Sequence, residues 1–425
     1  MQPMIDFDFS SPEYARRWPD IYAELREHAP VAYSSRHGGF WVVSSSALAR
    51  QVARDPATFS SDHDPTGERT GYRGVGIPHS VGTRSLPQEA DPPESTFYRR
   101  LMSPWFSQTA VARWEPWLTR LAEHLIGAKL PEGRLDVADD LAFPAPAMLV
   151  TALLGLPVDD WRELVDPFHT LVTRRPGDPE HARAEAGLTE VLRLVADTVA
   201  RRRHEPGEDL LSGLVAARPG GRRLSDEQIV SIAQLVFFGG VDSTTALVTS
   251  AVHRLDTHPA ERARLTGEPG LLGAATEEYL RWFSPIHLNG RTVTTDVTLG
   301  GCPLKAGDRL LIAWAGANRD PATAAEPERV VLDRPDNRHL AFGAGVHHCL
   351  GAHFARMMFR VVFSALLRHV PDFRVDHAGA ERYPSVGQVN GFSHLPVTFT
   401  PRAARGGAGP LPAPPAGGAG AEPPP

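Results

Sequence analysis

The ten residues Phe342-Gly343-Ala344-Gly345-Val346-His347-His348-Cys349-Leu350-Gly351 decide how the rest of the chain is read. Glycines at 343, 345 and 351 interrupt regular structure, permit positive φ and let the backbone approach a flat ligand closely. An apolar run with helical character follows at once, from about 350 to 369. Cys349 therefore lies just before a helix N-terminus, where orphan N–H groups and the helix dipole favour a thiolate. The thiolate is the form that ligates a metal. One of the two histidines, His347 or His348, is placed to pair with an anionic group. An isolated cysteine in a glycine-rich turn is most often a small buried apolar residue, so its neighbours along the chain carry the decision.

Three further motifs lie upstream. Glu278-Tyr-Leu-Arg281 puts a carboxylate and a guanidinium on one helix face, and Arg291 follows after Pro285. On a surface, such an i, i+3 pair adds only a few tenths of a kcal/mol. Ser225-Asp-Glu-Gln228 has the form of a capping box. The helix it starts is expected to run past Asp242 to about residue 253, roughly 40 Å at the usual rise per residue. Inside it stands Phe237-Phe238-Gly239-Gly240-Val241-Asp242-Ser243-Thr244. Two mid-helix glycines cost roughly 1 kcal/mol each relative to alanine. Either they open the helix for a ligand, or they allow a close helix crossing at Gly239 and Gly240 with Asp242 merely solvated. An acid beside a hydroxyl can relay protons. Finally, Asp91-Pro-Pro-Glu-Ser95-Thr-Phe97-Tyr-Arg99-Arg100 opens another helix.

Pattern and breakers predict helices at about 12–28, 94–107, 178–203, 271–283 and 350–369, and strands at 31–34, 39–43, 291–299, 372–375 and 396–400. The expected architecture is mainly α with small β-sheets. Beyond Pro401 the composition turns to Gly, Pro and Ala, so residues 401–425 are expected to be a disordered tail. A net charge of −6 and the lack of a basic run oppose nucleic-acid binding. The first ten residues lack the charged-then-apolar form of a signal peptide. No run of the roughly 20 apolar residues needed to span a bilayer stands out, so a soluble, cytoplasmic protein is expected. The only cysteines are Cys302 and Cys349. They are not expected to form a disulfide in a reducing compartment. Two thiols are too few for a four-cysteine cluster, so any electrons come from another protein.

The spacing Phe-x-x-Gly-x-His-x-Cys-x-Gly around Cys349 resembles the haem-binding signature of the cytochrome P450 family, the haem-thiolate monooxygenases, in its bacterial soluble form. Ala317-Asn-Arg-Asp-Pro321 and Asn337-Arg-His-Leu-Ala-Phe342 also fit, and the likeness covers roughly residues 10–400 in order. It implies a single, monomeric oxygenase domain over 1–400. Haem b would be buried between the long central helix and the cysteine-loop helix. It implies Cys349 as the iron ligand in a loop shaped by Gly343 and Gly351, with Phe342 near the sulfur. His347, Arg291 and Arg99 would meet the haem propionates. Glu278 and Arg281 would be structural, and Asp242, Ser243 and Thr244 would deliver protons. The chain departs from the family pattern at Ser243, where the first threonine is usual, and at Ser95 and Phe97, where His and Arg are frequent.

The implied reaction is dioxygen activation to hydroxylate, epoxidise or demethylate a small, largely apolar or aromatic molecule of the kind found in secondary metabolism. Electrons would come from NAD(P)H through a separate ferredoxin or flavodoxin and its reductase, docking near Arg113, Arg356 and Arg360. Tyr72, Ile77, Leu235, Phe238, Gly239, His287, Leu288 and Phe392 are the candidate pocket residues. His287 either bonds a substrate oxygen or is satisfied by backbone or propionate. The alternatives are a peroxide-driven, coupling, nitrating or desaturating oxidant, and a non-catalytic haem sensor.

Overall fold

The strands Phe40–Val43 and Arg309–Ala313 run parallel, with Trp41 opposite Leu310 and Val43 opposite Ile312. Their sequences, Phe-Trp-Val-Val and Arg-Leu-Leu-Ile-Ala, are apolar without alternation, as expected of strands covered on both faces. They are central to a sheet whose order is Met4–Ile5, Val31–Ser34, Phe40–Val43, Arg309–Ala313, Leu288–Val293, Phe59–Ser60. The computed structural model describes residues 3–62, 74–77, 84–174, 177–384, 387–403 and 411–415. The chain forms two compact units, one of residues 1–99, 277–350 and 385–390, the other of residues 100–276, 351–384 and 391–425.

The sheet belongs to the first unit. Side chains alternate across it. Trp41, Val43, Leu310 and Ile312 enter one core with Ala49, Val52 and Ala53 of the helix Ser46–Arg54, and with Leu299, Cys302 and Leu304. Cys302 is thus a buried apolar residue. Trp314, Leu340 and Ala344 join the same core, so the segment leading to Cys349 is tied to it. Phe40, Val42, Leu311 and Ala313 face Tyr14, Trp18, Tyr22 and Leu25 of the helix Pro12–His28. Each fully buried large side chain contributes about 1.5–3 kcal/mol.

The second unit is chiefly helical. Ser225 caps the helix Asp226–Gly240, its hydroxyl accepting from Gln228 N–H while the Gln228 side chain accepts from Ser225 N–H. The expected unbroken helix is corrected here. It stops at Val241 (φ −110, ψ −73) and a second helix runs Asp242–Thr257. The Val241 carbonyl is taken up by the N–H groups of Thr244 and Thr245. The two glycines do different work. A Cβ on Gly240 would lie 2.6 Å from Val150 Cγ2, so this position is a close helix crossing. A Cβ on Gly239 meets no described atom within 4 Å. By length and composition Asp226–Thr257 is apolar enough to cross a membrane, contrary to the sequence expectation, but most of it is buried as core.

The described residues beyond Pro401, 402–403 and 411–415, include two with contacts to the second unit. Arg402 pairs with Asp372, and Trp117 Nε1 donates to the Pro412 carbonyl at 2.8 Å. Prolines lose little freedom on docking because φ is already fixed.

The glycine pair gives a stability test. Gly240→Val is expected to lower stability by roughly 1–3 kcal/mol through overpacking. Gly239→Ala is expected to raise it by up to about 1 kcal/mol through helix propensity. Urea unfolding of both variants measures this, and equal effects would contradict the assignment.

Candidate active site

In the first unit, the cysteine loop turns on Gly343 (φ +69) and Gly345 (φ +68). A side chain on Gly345 would collide with the Ala53 carbonyl, at 2.0 Å from its Cβ. Cys349 N–H donates to the Phe342 carbonyl at 2.8 Å, closing the loop. Gly351 does not take the expected positive φ. It caps the helix Ala352–His369 with φ −79, a conformation open to any residue. Cys349 is exposed and in no disulfide.

Basic groups surround this loop. Arg99 donates to the His348 carbonyl at 2.7 Å. Burial lowers its pKa, and the Cys349 thiol group acts in the opposite direction. Arg291 is buried and its guanidinium donates to its neighbour's carbonyl, Gly290 O. Among the described residues it makes no ion pair, and burial pulls its pKa down to about 10. His347 is pushed down to about 3, by burial first and then by Arg291 and Arg99, so it is neutral near pH 7. Its Nε2 is buried without a partner, as is Ser95 Oγ.

Glu278 and Arg281 hold the same unit together. Both are almost wholly buried. Arg281 Nε and Nη2 donate to the two Glu278 oxygens at 2.8 Å each. The carboxylate also accepts from Val331 N–H, Arg334 and Asn337. Burial opposes the charge on Glu278, but these bonds prevail and its pKa is lowered. Arg281 further donates to the carbonyls of Asn318, Pro327 and Arg329.

In the second unit, Asp242 opens the helix after the break. Its Oδ1 accepts from Tyr383 Oη at 2.9 Å and lies 2.5 Å from His169 Nδ1. Ser243 Oγ reaches back only loosely to Gly239 O, at 3.4 Å, and is part-exposed, whereas Thr244 is buried. Leu235 and Phe238 are part-exposed and Gly239 exposed along the helix before the break. Sequence reading missed His169 and Tyr383. They lie 73 and 141 residues from Asp242, and no local spacing marks either.

Several pocket candidates are packed against other side chains. Ile77 and Leu288 pack in the core beneath the helix Pro12–His28. His287 is fully buried, with Nδ1 2.7 Å from Tyr14 Oη and its ring 4.6 Å from that of Trp18, which is core packing. Phe392 is buried and stacks on His253 at 4.5 Å, with Arg382 over its ring. Tyr72 lies outside the described residues. Among the arginines considered for docking, Arg113 is exposed, while Arg356 and Arg360 are half-buried.

A family profile described as Cytochrome P450 matches residues 270–395. The chain is 31% identical over 411 residues to the cytochrome P450 monooxygenase PikC of Streptomyces venezuelae, covering 93% of this chain and 94% of PikC. It is 32% identical to the cyclomarin C epoxidase CymV of Salinispora arenicola, over 88% of this chain and 94% of that one. The chain belongs to the cytochrome P450 family. The structure of P450 EryK with erythromycin B superposes with a TM-score of 0.80 at 31% identity, covering 91% of this P450 and 96% of EryK. The match also settles the fold as that of the family, mainly helical with small sheets. This P450 is accordingly a monooxygenase, an oxidoreductase using haem iron and dioxygen. The residues present fit such a cofactor. An exposed thiol stands at the closed turn, with a buried guanidinium that makes no ion pair among the described residues and a neutral imidazole whose Nε2 has no partner among them.

The Glu278 cluster yields a direct test. Glu278→Gln leaves Arg281 and Arg334 without a counter-charge and is expected to cost about 3–5 kcal/mol. Denaturant titration checks this, and a loss under about 1 kcal/mol, the range of surface pairs, would refute the buried-network account.

Proposed function

We propose that this P450 inserts one atom of dioxygen into a bulky, mostly apolar molecule of secondary-metabolite type, by hydroxylation, epoxidation or oxidative demethylation. The observation that carries the reading is the Cys349 loop with the buried Arg291 guanidinium, which makes no ion pair among the described residues, and the orphan His347 Nε2. Cys349 is the iron ligand, and Phe342, Gly343 and Gly351 shape the turn that presents it. Arg291, Arg99 and His347 Nε2 hold the haem propionates, which supply the negative charge the loop lacks. When bound, the haem supplies the redox chemistry of dioxygen activation, with the thiolate donating electron density to it.

The remaining roles belong to side chains of the second unit. Asp242 and Ser243 move protons to the reacting oxygen, with Thr244 behind them. Leu235, Phe238 and Gly239 line the substrate side and present an apolar surface. The named activities of relatives support a bulky apolar substrate: a vitamin D(3) 25-hydroxylase of Pseudonocardia autotrophica, 32% identical, and the cyclomarin C epoxidase. Solved neighbours hold erythromycin B and testosterone. Electrons arrive from NAD(P)H through a separate ferredoxin or flavodoxin and its reductase, with Arg113, Arg356 and Arg360 as docking charges. The oxygenase domain spans residues 1–400 of a monomeric, cytoplasmic protein, with the described tail residues Arg402 and Pro412 bonded to it.

The test is a screen of macrolides, sterols and cyclic peptides for a haem spin-state shift. Turnover of the best binder with NADPH, ferredoxin, reductase and isotopically heavy dioxygen follows. One heavy oxygen in the product is expected. Product formed only with hydrogen peroxide would favour the peroxide-driven reading, and binding without turnover a sensor. Ser243→Ala is expected to release several-fold more hydrogen peroxide per product. Ser243→Thr is expected to match or improve on the parent, because the added methyl restricts the hydroxyl rotamer. Unchanged coupling in Ser243→Ala would remove Ser243 from the relay.

A further inference from the structure

Asp242 does not stand alone at the helix break. Its Oδ1 receives two bonds, from Tyr383 Oη at 2.9 Å and from His169 Nδ1 at 2.5 Å. The His169 side chain is 17% exposed and that of Asp242 only 4%, so the pair steps from near the surface into the interior. His169 lies on the helix Trp161–Thr173, and the Phe143 ring covers one of its faces at 4.2 Å. Asp166 sits one turn earlier on the same helix, and Asp139 on the turn Ala138–Ala142 acts on the ring from another side. Both acids are half-exposed.

We propose that His169 is the residue that recharges Asp242 with protons and that, with Tyr383, it fixes the carboxylate in its working orientation. The inference rests on the oxygenase reading given above, and it adds a link the acid–hydroxyl pair does not contain. The balance shows why a supply is needed. Monooxygenation follows R–H + O2 + 2 e⁻ + 2 H⁺ → R–OH + H2O. The substrate carbon is oxidised, dioxygen is reduced, and the electrons come from the ferredoxin or flavodoxin. Two protons per turnover must therefore reach the oxygen that leaves as water. Asp242 is buried, so each proton it gives has to be replaced through a neighbour. His169 Nδ1–H passes its proton to Oδ1, and the ring is reprotonated at its solvent edge. Tyr383 is not the donor, because burial and then the charge of Asp242 hold its pKa well above the ordinary value. It serves as a fixed donor that orients the carboxylate.

The charges facing His169 suit this task. Burial alone would lower its pKa, but Asp242 by charge and hydrogen bond, then Asp166 and Asp139, outweigh burial and raise it. Asp139 is itself raised by burial and is faced by His394, Asp136 and Asp140; Asp166 is raised by burial and faced by Arg162. The sign follows. With its folded pKa above the unfolded value, His169 is charged below that folded pKa and loses its proton as pH rises through it. Dioxygen-driven turnover should therefore fall along that upper limb.

Two measurements test the link. The first is an NMR titration of the His169 ring in the full chain. A midpoint above the ordinary histidine value is expected, falling by about one unit or more in Asp242→Asn. Equal midpoints in the two proteins would overturn the proposal. The second uses the holoenzyme and the compound giving the largest spin-state shift in the screen above. Dioxygen-driven product from His169→Gln is expected to fall about tenfold and lose the upper pH limb. Product driven by hydrogen peroxide, which brings its own protons, should stay within about twofold of the parent. Tyr383→Phe should show a smaller loss of the same kind. Equal falls with dioxygen and peroxide would reduce His169 to a structural residue and overturn the relay. A parent protein with the shifted His169 but no dioxygen-driven turnover with any reductase would instead overturn the oxygenase reading.

Discussion

The Glu278 carboxylate lies out of water between two guanidinium groups, and the first unit is organised around that constraint. Removing a carboxylate from water costs several kcal/mol even after relaxation. The cost is offset because both oxygens are saturated by Arg281, Arg334, Asn337 and the Val331 amide. These donors come from residues far apart in sequence, so the carboxylate pins the strands of chain that precede the cysteine loop. Asn318, whose carbonyl accepts from Arg281, also receives the Leu340 amide on its side-chain oxygen. Leu340 and Ala344 are packed in the sheet core. A chain of satisfied polar groups thus leads from a buried ion pair to the turn that holds Cys349.

Around that turn the balance of charge is reversed. Arg291 is desolvated with Asp91 acting on it only through its charge, without an ion pair among the described residues, and His347 Nε2 is buried with no partner among them; such burial is costly unless a ligand supplies the missing partner. A cofactor bearing two carboxylates is such a partner. Near Asp242 the opposite arrangement holds, with acid, imidazole and phenol satisfying one another. In the proposed reading one site receives a bound group and the other moves protons.

Much of this was legible in the sequence where the determinants are local. The cysteine loop is ten consecutive residues, Glu278 and Arg281 are three apart, and the capping box of Ser225 and Gln228 is one turn. The helix break at Val241 was hinted at by two glycines, yet only the structure separates Gly240, pressed against Val150, from Gly239 in open space. Ile77, His287 and Leu288 are buried in packed core, and sequence alone does not separate an apolar pocket from an apolar core because the two have the same composition. The Phe392 ring is likewise packed, against His253 and Arg382. His169 and Tyr383 carried no signal at all, since their pairing with Asp242 depends on tertiary folding and not on spacing.

The central claim is that Cys349 ligates haem iron as a thiolate. The absorption spectrum of the reduced, carbon-monoxide-bound protein tests it most directly, recorded for the parent and for Cys349→His. The account predicts the strongly red-shifted Soret band of thiolate ligation in the parent and its loss, with haem retained, in the variant. A parent spectrum like that of a histidine-ligated haem, or a red-shifted band surviving in Cys349→His, would contradict it.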